Sequence, residues 1–238
     1  MRNALGTKDR IARVPNARLL PLLVAALVTG CGGRDASSGN DAAPAQAADP
    51  LLDPRRLTET APDRFRVRFE TSAGPFVIEA HREWAPLGAD RFYNLVRAGY
   101  YDDTRVYRVV DGFVAEFGVH GNGTVTRIWH RFPILDDPVV ESNTRGRMSF
   151  AASGPNSRTV QVFVNLRDNA SLDARGFAPF AEVVEGLDVV SRFHAGYGDG
   201  PPRGSGPYQA QAVIQGNAYL DAEFPDLTRI ESARLVDG

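Results

Sequence analysis

The chain has 238 residues, of which 43% are hydrophobic and 24% charged, and its formal net charge is −2 at pH 7. These values are ordinary for a soluble globular protein, and the length allows one domain plus a targeting segment. Five basic residues and one acidic residue fall within positions 1–30, so the remainder is more acidic than the whole and has no Lys/Arg cluster. The composition therefore argues against a nucleic-acid-binding protein.

Residues 1–30 have the pattern of an export signal. The basic region ends at Arg18, and an apolar stretch of ten residues, 19–28, follows it. A helix that spans a bilayer needs about 20 residues, whereas ten suit a signal-peptide core. Thr29 and Gly30 then lead to Cys31, the only cysteine of the chain, so no internal disulfide can form.

The Val-Thr-Gly-Cys ending of this segment resembles a bacterial lipobox. The resemblance implies cleavage before Cys31 and acylation of its thiol; an ordinary signal peptide followed by an unused cysteine is the alternative. Acyl chains anchor a protein on a membrane without spanning it. The residue after the cysteine is Gly32 and not Asp, and by resemblance to enterobacterial sorting rules this implies delivery of the lipoprotein to the outer membrane. The expected location is therefore the bacterial cell envelope, on the periplasmic face of the outer membrane if the organism is Gram-negative.

Residues 31–61 are predicted to form a disordered tether, and residues 62–238 a folded domain. From Gly32 onward the tether is rich in Gly, Ala, Ser, Asp and Pro and has almost no apolar periodicity. Such a segment cannot bury enough surface to offset the entropy that it loses on ordering.

The folded domain consists of short predicted strands and few helices. Alternating apolar and polar residues predict a strand over 65–69, and a second strand over 76–80 follows a turn. Helices are predicted over Pro86–Ala98, with one apolar face toward the core, and over 186–193. The sequence Asp111-Gly112 predicts a hairpin turn. The remaining predicted strands are 107–110, 113–117, 147–151, 161–165, 179–184 and 227–235.

The strand pattern alone leaves a sandwich and a barrel undecided. Residues 196–206 are rich in Gly and Pro, and a mixed segment follows up to residue 225. We predict a flexible loop and then a short helical or irregular excursion there, with no role that the sequence reveals.

Three motifs together resemble the cyclophilin-type peptidyl-prolyl cis-trans isomerases. They are Tyr-Arg-Val-Val-Asp-Gly-Phe-Val-Ala-Glu-Phe-Gly at 107–118, Phe-Ala-Ala-Ser-Gly-Pro-Asn at 150–156 and Gln-Val-Phe at 161–163. The resemblance runs from about Arg66 to the C-terminus, although residues 196–225, called the insertion below, form a longer segment than the compact eukaryotic members of this family need. It implies an all-β-dominated fold, a closed antiparallel eight-stranded barrel capped by two helices. It also implies catalysed isomerisation of X-Pro bonds.

The same resemblance assigns site residues. Arg108, Phe113 and Gln161 are expected to be catalytic, with the guanidinium donating toward the prolyl nitrogen. The expected substrate-binding residues are Val114, Glu116, Ala151, Ala152, Phe163, Leu172 and Phe177. No metal or cofactor is expected, since the four histidines show no ligand spacing. The expected partners are proline-containing exported polypeptides and, through the anchor, a membrane; we expect a monomer that binds no nucleic acid.

Five positions depart from the family pattern. Glu116 replaces Gln, Ala152 replaces Asn, Ser171 replaces Trp, Val114 replaces Met, and Phe177 falls near the usual His. Glu116 is expected to form a bidentate pair with Arg108, unless it points into water. Such a pair would weaken the arginine as a donor, so an attenuated isomerase is predicted. The alternative function is a non-catalytic module that binds proline-containing segments or acts as a chaperone.

Overall fold

The computed structural model describes residues 49–237, so the predicted signal peptide, Cys31 and much of the tether lie outside it. Nine strands form one antiparallel sheet: β1 Arg64–Thr71, β2 Phe76–His81, β3 Thr104–Arg105, β4 Arg108–Val110, β5 Val114–Phe117, β6 Arg147–Phe150, β7 Val162–Asn165, β8 Pro179–Glu185 and β9 Arg229–Val236. The α-helices are α1 Pro86–Arg97, α2 Gly123–Trp129, α3 Leu187–Val190, α4 Gln209–Gln215 and α5 Asn217–Glu223. None of these helices is long and apolar enough to cross a membrane.

The sheet curls so that its two edge strands approach each other. Its strand order is β3-β9-β1-β2-β8-β6-β7-β5-β4, which places β3 at one edge and β4 at the other. Only Val106 and Tyr107 separate these two strands along the chain. Because an extended chain advances at most about 3.6 Å per residue, Arg105 and Arg108 lie no more than about 11 Å apart.

The β-dominated architecture is confirmed, but the predicted closed barrel of eight strands is wrong in detail. The sheet has nine strands, and its hydrogen-bonded order within residues 49–237 stops at β3 and β4. The extra strand, β3, pairs two residues with β9. Two residues are too few to show the alternation by which a strand is found in a sequence.

Alternation along β1 places the core on one face of the sheet. Phe65, Val67 and Phe69 are buried, and the Phe69 ring stacks on Phe76 of β2 with centroids 4.7 Å apart. The predicted apolar face of α1 is confirmed, and its buried side chains include Ala89, Phe92, Leu95 and Val96. This helix therefore packs its apolar stripe against the core, where the Phe92 ring lies close to Phe65 and Phe69 of β1 and Phe180 of β8.

The segment between α3 and β9 forms a second, smaller apolar cluster. The predicted helical excursion is two helices, α4 and α5, and α2 was not predicted at all. The cluster joins Tyr107 and Val119 to one buried residue from each new helix, Ala212 and Leu220. Helices α2 and α4 approach so closely that a Cβ added on Gly123 would lie 2.1 Å from the carbonyl oxygen of Ile214.

Residues 49–61 lie on the domain and not in a disordered tether, so the predicted boundary at residue 62 is too late. Leu51 is buried, and its carbonyl accepts a hydrogen bond from the Trp129 indole at 2.9 Å. The Ala61 amide donates to Asp90 Oδ1, also at 2.9 Å. These contacts use backbone groups, which a search for apolar periodicity does not detect.

The indole bond gives a test of how this segment is held. We expect Trp129→Phe to lower the free energy of unfolding by about 1–3 kcal/mol, because it leaves the buried Leu51 carbonyl without its donor. Urea unfolding followed by circular dichroism measures this change. Trp84→Phe is the matched control, since Trp84 is only partly buried, and we expect a smaller loss. Equal unfolding midpoints for the two variants would contradict the assignment.

Candidate active site

The hairpin of β4 and β5 positions the arginine. Asp111 and Gly112 turn the chain, Gly112 adopts a φ of 60°, and the Phe113 amide donates to the Val110 carbonyl at 2.9 Å. The predicted hairpin is therefore confirmed. In its register Arg108 pairs directly with Glu116. Directly opposite residues present their side chains on the same face of a sheet, so the two charged groups meet.

An apolar cup lies beside this pair. Val114 and Glu116 are two apart on β5 and share a face, and Phe163 of β7 pairs with Glu116 across the ladder. The short 3₁₀ helix Ala170–Arg175 adds Leu172. Val114, Phe163 and Leu172 are buried, and partly buried Phe113, Ala151 and Phe177 complete the cup. The Phe163 and Phe177 rings meet edge to face with centroids 5.7 Å apart.

All ten residues that the sequence assigns to catalysis and substrate binding line one cleft of about 670 Å³. That volume lies within the usual range for a small-molecule or short-peptide site. Ala152, Gln161 and Phe177 belong to the lining, whereas Ser171 does not. The Ala151 amide donates to the Gln161 carbonyl at 2.9 Å, so this N–H is not available to a substrate.

Glu116 forms the predicted ion pair but not the predicted bidentate one. Its Oε2 accepts from Arg108 Nη1 at 2.9 Å, while its Oε1 accepts from the hydroxyl of Tyr107. Glu116 as a residue is 7% exposed, which excludes the alternative that its carboxylate points into water. Gln161 Nε2 donates in turn to the Tyr107 oxygen at 2.7 Å. Tyr107 therefore takes the oxygen that a bidentate pair would need.

The bidentate partner of Arg108 is Asp199, which the sequence analysis missed. Arg108 Nε donates to Asp199 Oδ1 at 2.8 Å, and Nη2 approaches Oδ2 at 3.5 Å. Asp199 also pairs with Arg203, whose Nε lies 3.0 Å from Oδ2. A single acidic residue among glycines and prolines was the only signal, and nothing in the sequence joins it to a strand 91 residues earlier.

The two carboxylates differ in how readily they take a proton. Burial raises the pKa of Glu116, although the hydrogen bond from Tyr107 and the charge of Arg108 oppose that shift. The hydrogen bond from Arg108 lowers the pKa of Asp199 despite its burial. Burial acts to lower the pKa of Arg108, but Asp199 and Glu116 outweigh it and the pKa rises. Of the two carboxylates, Glu116 is therefore the one that takes a proton more readily.

The chemistry open to this cleft is restricted. Within residues 49–237, no three His, Cys, Asp or Glu side chains are grouped to hold a metal ion. The cleft offers a fixed guanidinium beside a cup that fits a small apolar ring. Such a cleft suits a ligand that has a small apolar ring and an adjacent carbonyl.

Comparison with known proteins identifies the family. The family model described as cyclophilin type peptidyl-prolyl cis-trans isomerase matches residues 66–215, more than half of the chain. The chain therefore belongs to the cyclophilin-type peptidyl-prolyl cis-trans isomerase family. It is similar to peptidyl-prolyl cis-trans isomerase B of Escherichia coli, with 34% identity over 135 residues that cover 53% of this chain and 82% of the relative.

A further relative and a solved structure agree with this assignment. A peptidyl-prolyl cis-trans isomerase of Streptomyces antibioticus is 31% identical over 166 residues, which cover 65% of this chain and 97% of the relative. A crystal structure of a cyclophilin type isomerase of Cryptosporidium parvum superposes with a TM-score of 0.53 at 18% identity. That match covers 74% of this chain and 99% of the other, and it supports the fold.

Proposed function

We propose that this protein catalyses cis–trans isomerisation of X-Pro bonds in exported polypeptides. Rotation about a peptide bond meets a barrier of about 18–20 kcal/mol, because resonance gives the C–N bond double-bond character. The single observation that carries the proposal is the position of Arg108, on the same sheet face as the apolar cup and braced by Glu116. From this position the guanidinium can donate a hydrogen bond toward the prolyl nitrogen, whose conjugation gives the C–N bond its double-bond character.

In the proposed mechanism the cup holds the proline ring while the preceding carbonyl swings. A guanidinium has five N–H donors. In the described part of the chain, Glu116 and Asp199 engage three donors of Arg108, which leaves one on each terminal nitrogen. A donor aimed at the prolyl nitrogen favours its pyramidal form over the conjugated form, and a fixed charge in a site with little water does so effectively.

The proposed place of action is the cell envelope. The short apolar core that ends in Val-Thr-Gly-Cys supports a lipid anchor on Cys31. An anchored monomer on the periplasmic face of the outer membrane would meet polypeptides after export. Proline-containing segments of such polypeptides are the substrates that the cup and the arginine suit.

The first functional test concerns the arginine. We expect Arg108→Ala to lower kcat/KM by about one to three orders of magnitude, or about 1.4–4 kcal/mol of barrier. Arg108→Lys should keep only a small part of the kcat/KM that Arg108→Ala loses, because lysine has the charge but lacks the planar fork that both carboxylates contact. Isomerisation rates of a proline peptide, measured by NMR exchange, provide the readout.

Two controls make the arginine test decisive. Circular dichroism must show intact folding, because the Arg108 side chain is only 21% exposed and its loss leaves the buried Glu116 carboxylate without its positively charged partner. Arg192→Ala removes an exposed arginine elsewhere and should leave the rate unchanged. If the unaltered protein binds the peptide without accelerating its isomerisation, the non-catalytic module replaces the isomerase.

The second test concerns the proposed attenuation. A carboxylate at position 116 opposes electron density at the prolyl nitrogen, so we expect Glu116→Gln to raise kcat, by up to about tenfold, with little change in peptide affinity. The raised pKa of Glu116 adds a pH signature. Lowering the pH protonates Glu116 and should raise kcat toward that of the variant, whose own kcat stays flat. A variant no faster than the parent would show that the carboxylate is neutral or helpful.

The third test concerns the anchor. Mass spectrometry of the mature protein from its native host should find cleavage before Cys31 and an acyl mass on that residue. Cys31→Ala should shift the protein from the membrane fraction to the soluble fraction. Cleavage elsewhere, or a free thiol on Cys31, would refute the lipid anchor and leave the isomerase proposal standing.

A further inference from the structure

Residues 196–206, the acidic loop, form the first part of the insertion, and Asp199 of this loop reaches the reacting arginine. Asp199 grips the Nε and Nη2 edge of Arg108 at 2.8 and 3.5 Å. This edge has the fork geometry that suits two oxygens of one carboxylate. The strongest hydrogen-bonding edge of the guanidinium is therefore occupied by the chain itself.

Several contacts within the acidic loop hold Asp199 in place. The carboxylate of Asp199 also accepts from the Gly200 amide at 2.9 Å and contacts Arg203 Nε at 3.0 Å. The Gly206 amide donates to the Asp199 carbonyl at 2.9 Å, and a Cβ on Gly204 would lie 2.2 Å from that same oxygen. The loop therefore closes tightly around Asp199 and aims its side chain.

The rest of the insertion holds the acidic loop in position. The Tyr197 ring packs edge to face on Phe224, which follows α5, with centroids 5.1 Å apart. The Tyr208 amide donates to the hydroxyl of Tyr219 at 3.1 Å. Gly200 and Pro201 line the cleft beside Arg108. A peptide that enters the cleft thus meets an Asp-Gly-Pro sequence of the protein itself.

We propose that Asp199 is an internal competitor for Arg108 and that peptides with a carboxylate of their own displace it best, an inference that rests on the proposed isomerase function. A neutral peptide must separate an ion pair and offer only a carbonyl oxygen in return. A peptide with its own carboxylate near the proline exchanges one ion pair for another. The cleft is also lined by Arg175, a second cation that attracts such a peptide. Peptides with an acidic residue on the N-terminal side of the proline are the preferred substrates.

Two blocked peptides, Asp-Gly-Pro-Phe and Ala-Gly-Pro-Phe, test the competition, since the first copies residues 199–201. Isomerisation is followed by NMR exchange, which needs no coupling protease. We expect the parent protein to prefer the acidic peptide by about three- to tenfold in kcat/KM, mostly through KM, as suits one partly exposed ion pair. Asp199→Asn should raise kcat/KM for both peptides by a similar factor and keep the preference, because neither peptide then has to displace a carboxylate and Arg108 still favours the acidic one.

Asp188→Asn is the matched control, because it removes the same charge from an exposed pair outside the cleft and should change neither rate. Equal rates for the two peptides with the parent protein would overturn the proposal. So would a fall in both rates with Asp199→Asn in a folded protein, since Asp199 would then only hold Arg108 in place. If no variant isomerises either peptide, the isomerase proposal fails, and NMR titration of peptide affinity still shows whether Asp199→Asn tightens the binding of both peptides.

Discussion

A buried carboxylate on an edge hairpin is the constraint on which the site depends. Within the part of the chain that the structure describes, β4 is a three-residue edge strand that pairs only with β5. Glu116 on β5 is 7% exposed, and an uncompensated buried charge is strongly destabilising. Its two oxygens are satisfied by Tyr107, just before β4, and by Arg108, the first residue of β4. Hairpin register, arginine orientation and tyrosine position are therefore fixed together, and the groups that line the cleft also hold the edge strand in place.

Tyr107 connects this site to the inserted segment. It lies at the corner where the two edges of the sheet meet, between β3 and β4. Its ring belongs to the apolar cluster of α4 and α5, while its hydroxyl joins Gln161 to Glu116. Residues 196–225 thus contact the site by two routes, an apolar one through the Tyr107 ring and an ionic one through Asp199. A displacement of the insertion cannot leave the arginine unaffected, because both routes end on its immediate neighbours.

The sequence predicts what depends on local pattern. The hairpin, α1 and most strands appear as alternation or helical periodicity, and the ten site residues follow from motifs within 107–177. Contacts between distant segments are different. Asp199 stands in a Gly- and Pro-rich loop. The sequence does not link it to Arg108, because no periodicity connects such a loop with a strand 91 residues earlier. The packing of residues 49–61 and the division of Glu116 between Tyr107 and Arg108 likewise depend on which backbone and hydroxyl groups lie within reach, and only the folded chain decides that.

The charges around Arg108 balance as a set of four. Glu116 replaces the neutral glutamine of the family pattern, and Asp199 adds a second acid, so the two together would leave the arginine overcompensated in a half-buried cleft. Two features relieve this excess. Burial raises the pKa of Glu116, and Arg203 contacts the outer oxygen of Asp199. Arg203 and Asp199 come from the same loop, so the insertion brings its own compensating charge. A loop with Asp199 but without Arg203 would add uncompensated negative charge close to Glu116. A loop with neither residue would leave more of the Arg108 guanidinium open to the cleft. The substitution at position 116 and the insertion are therefore parts of one electrostatic arrangement.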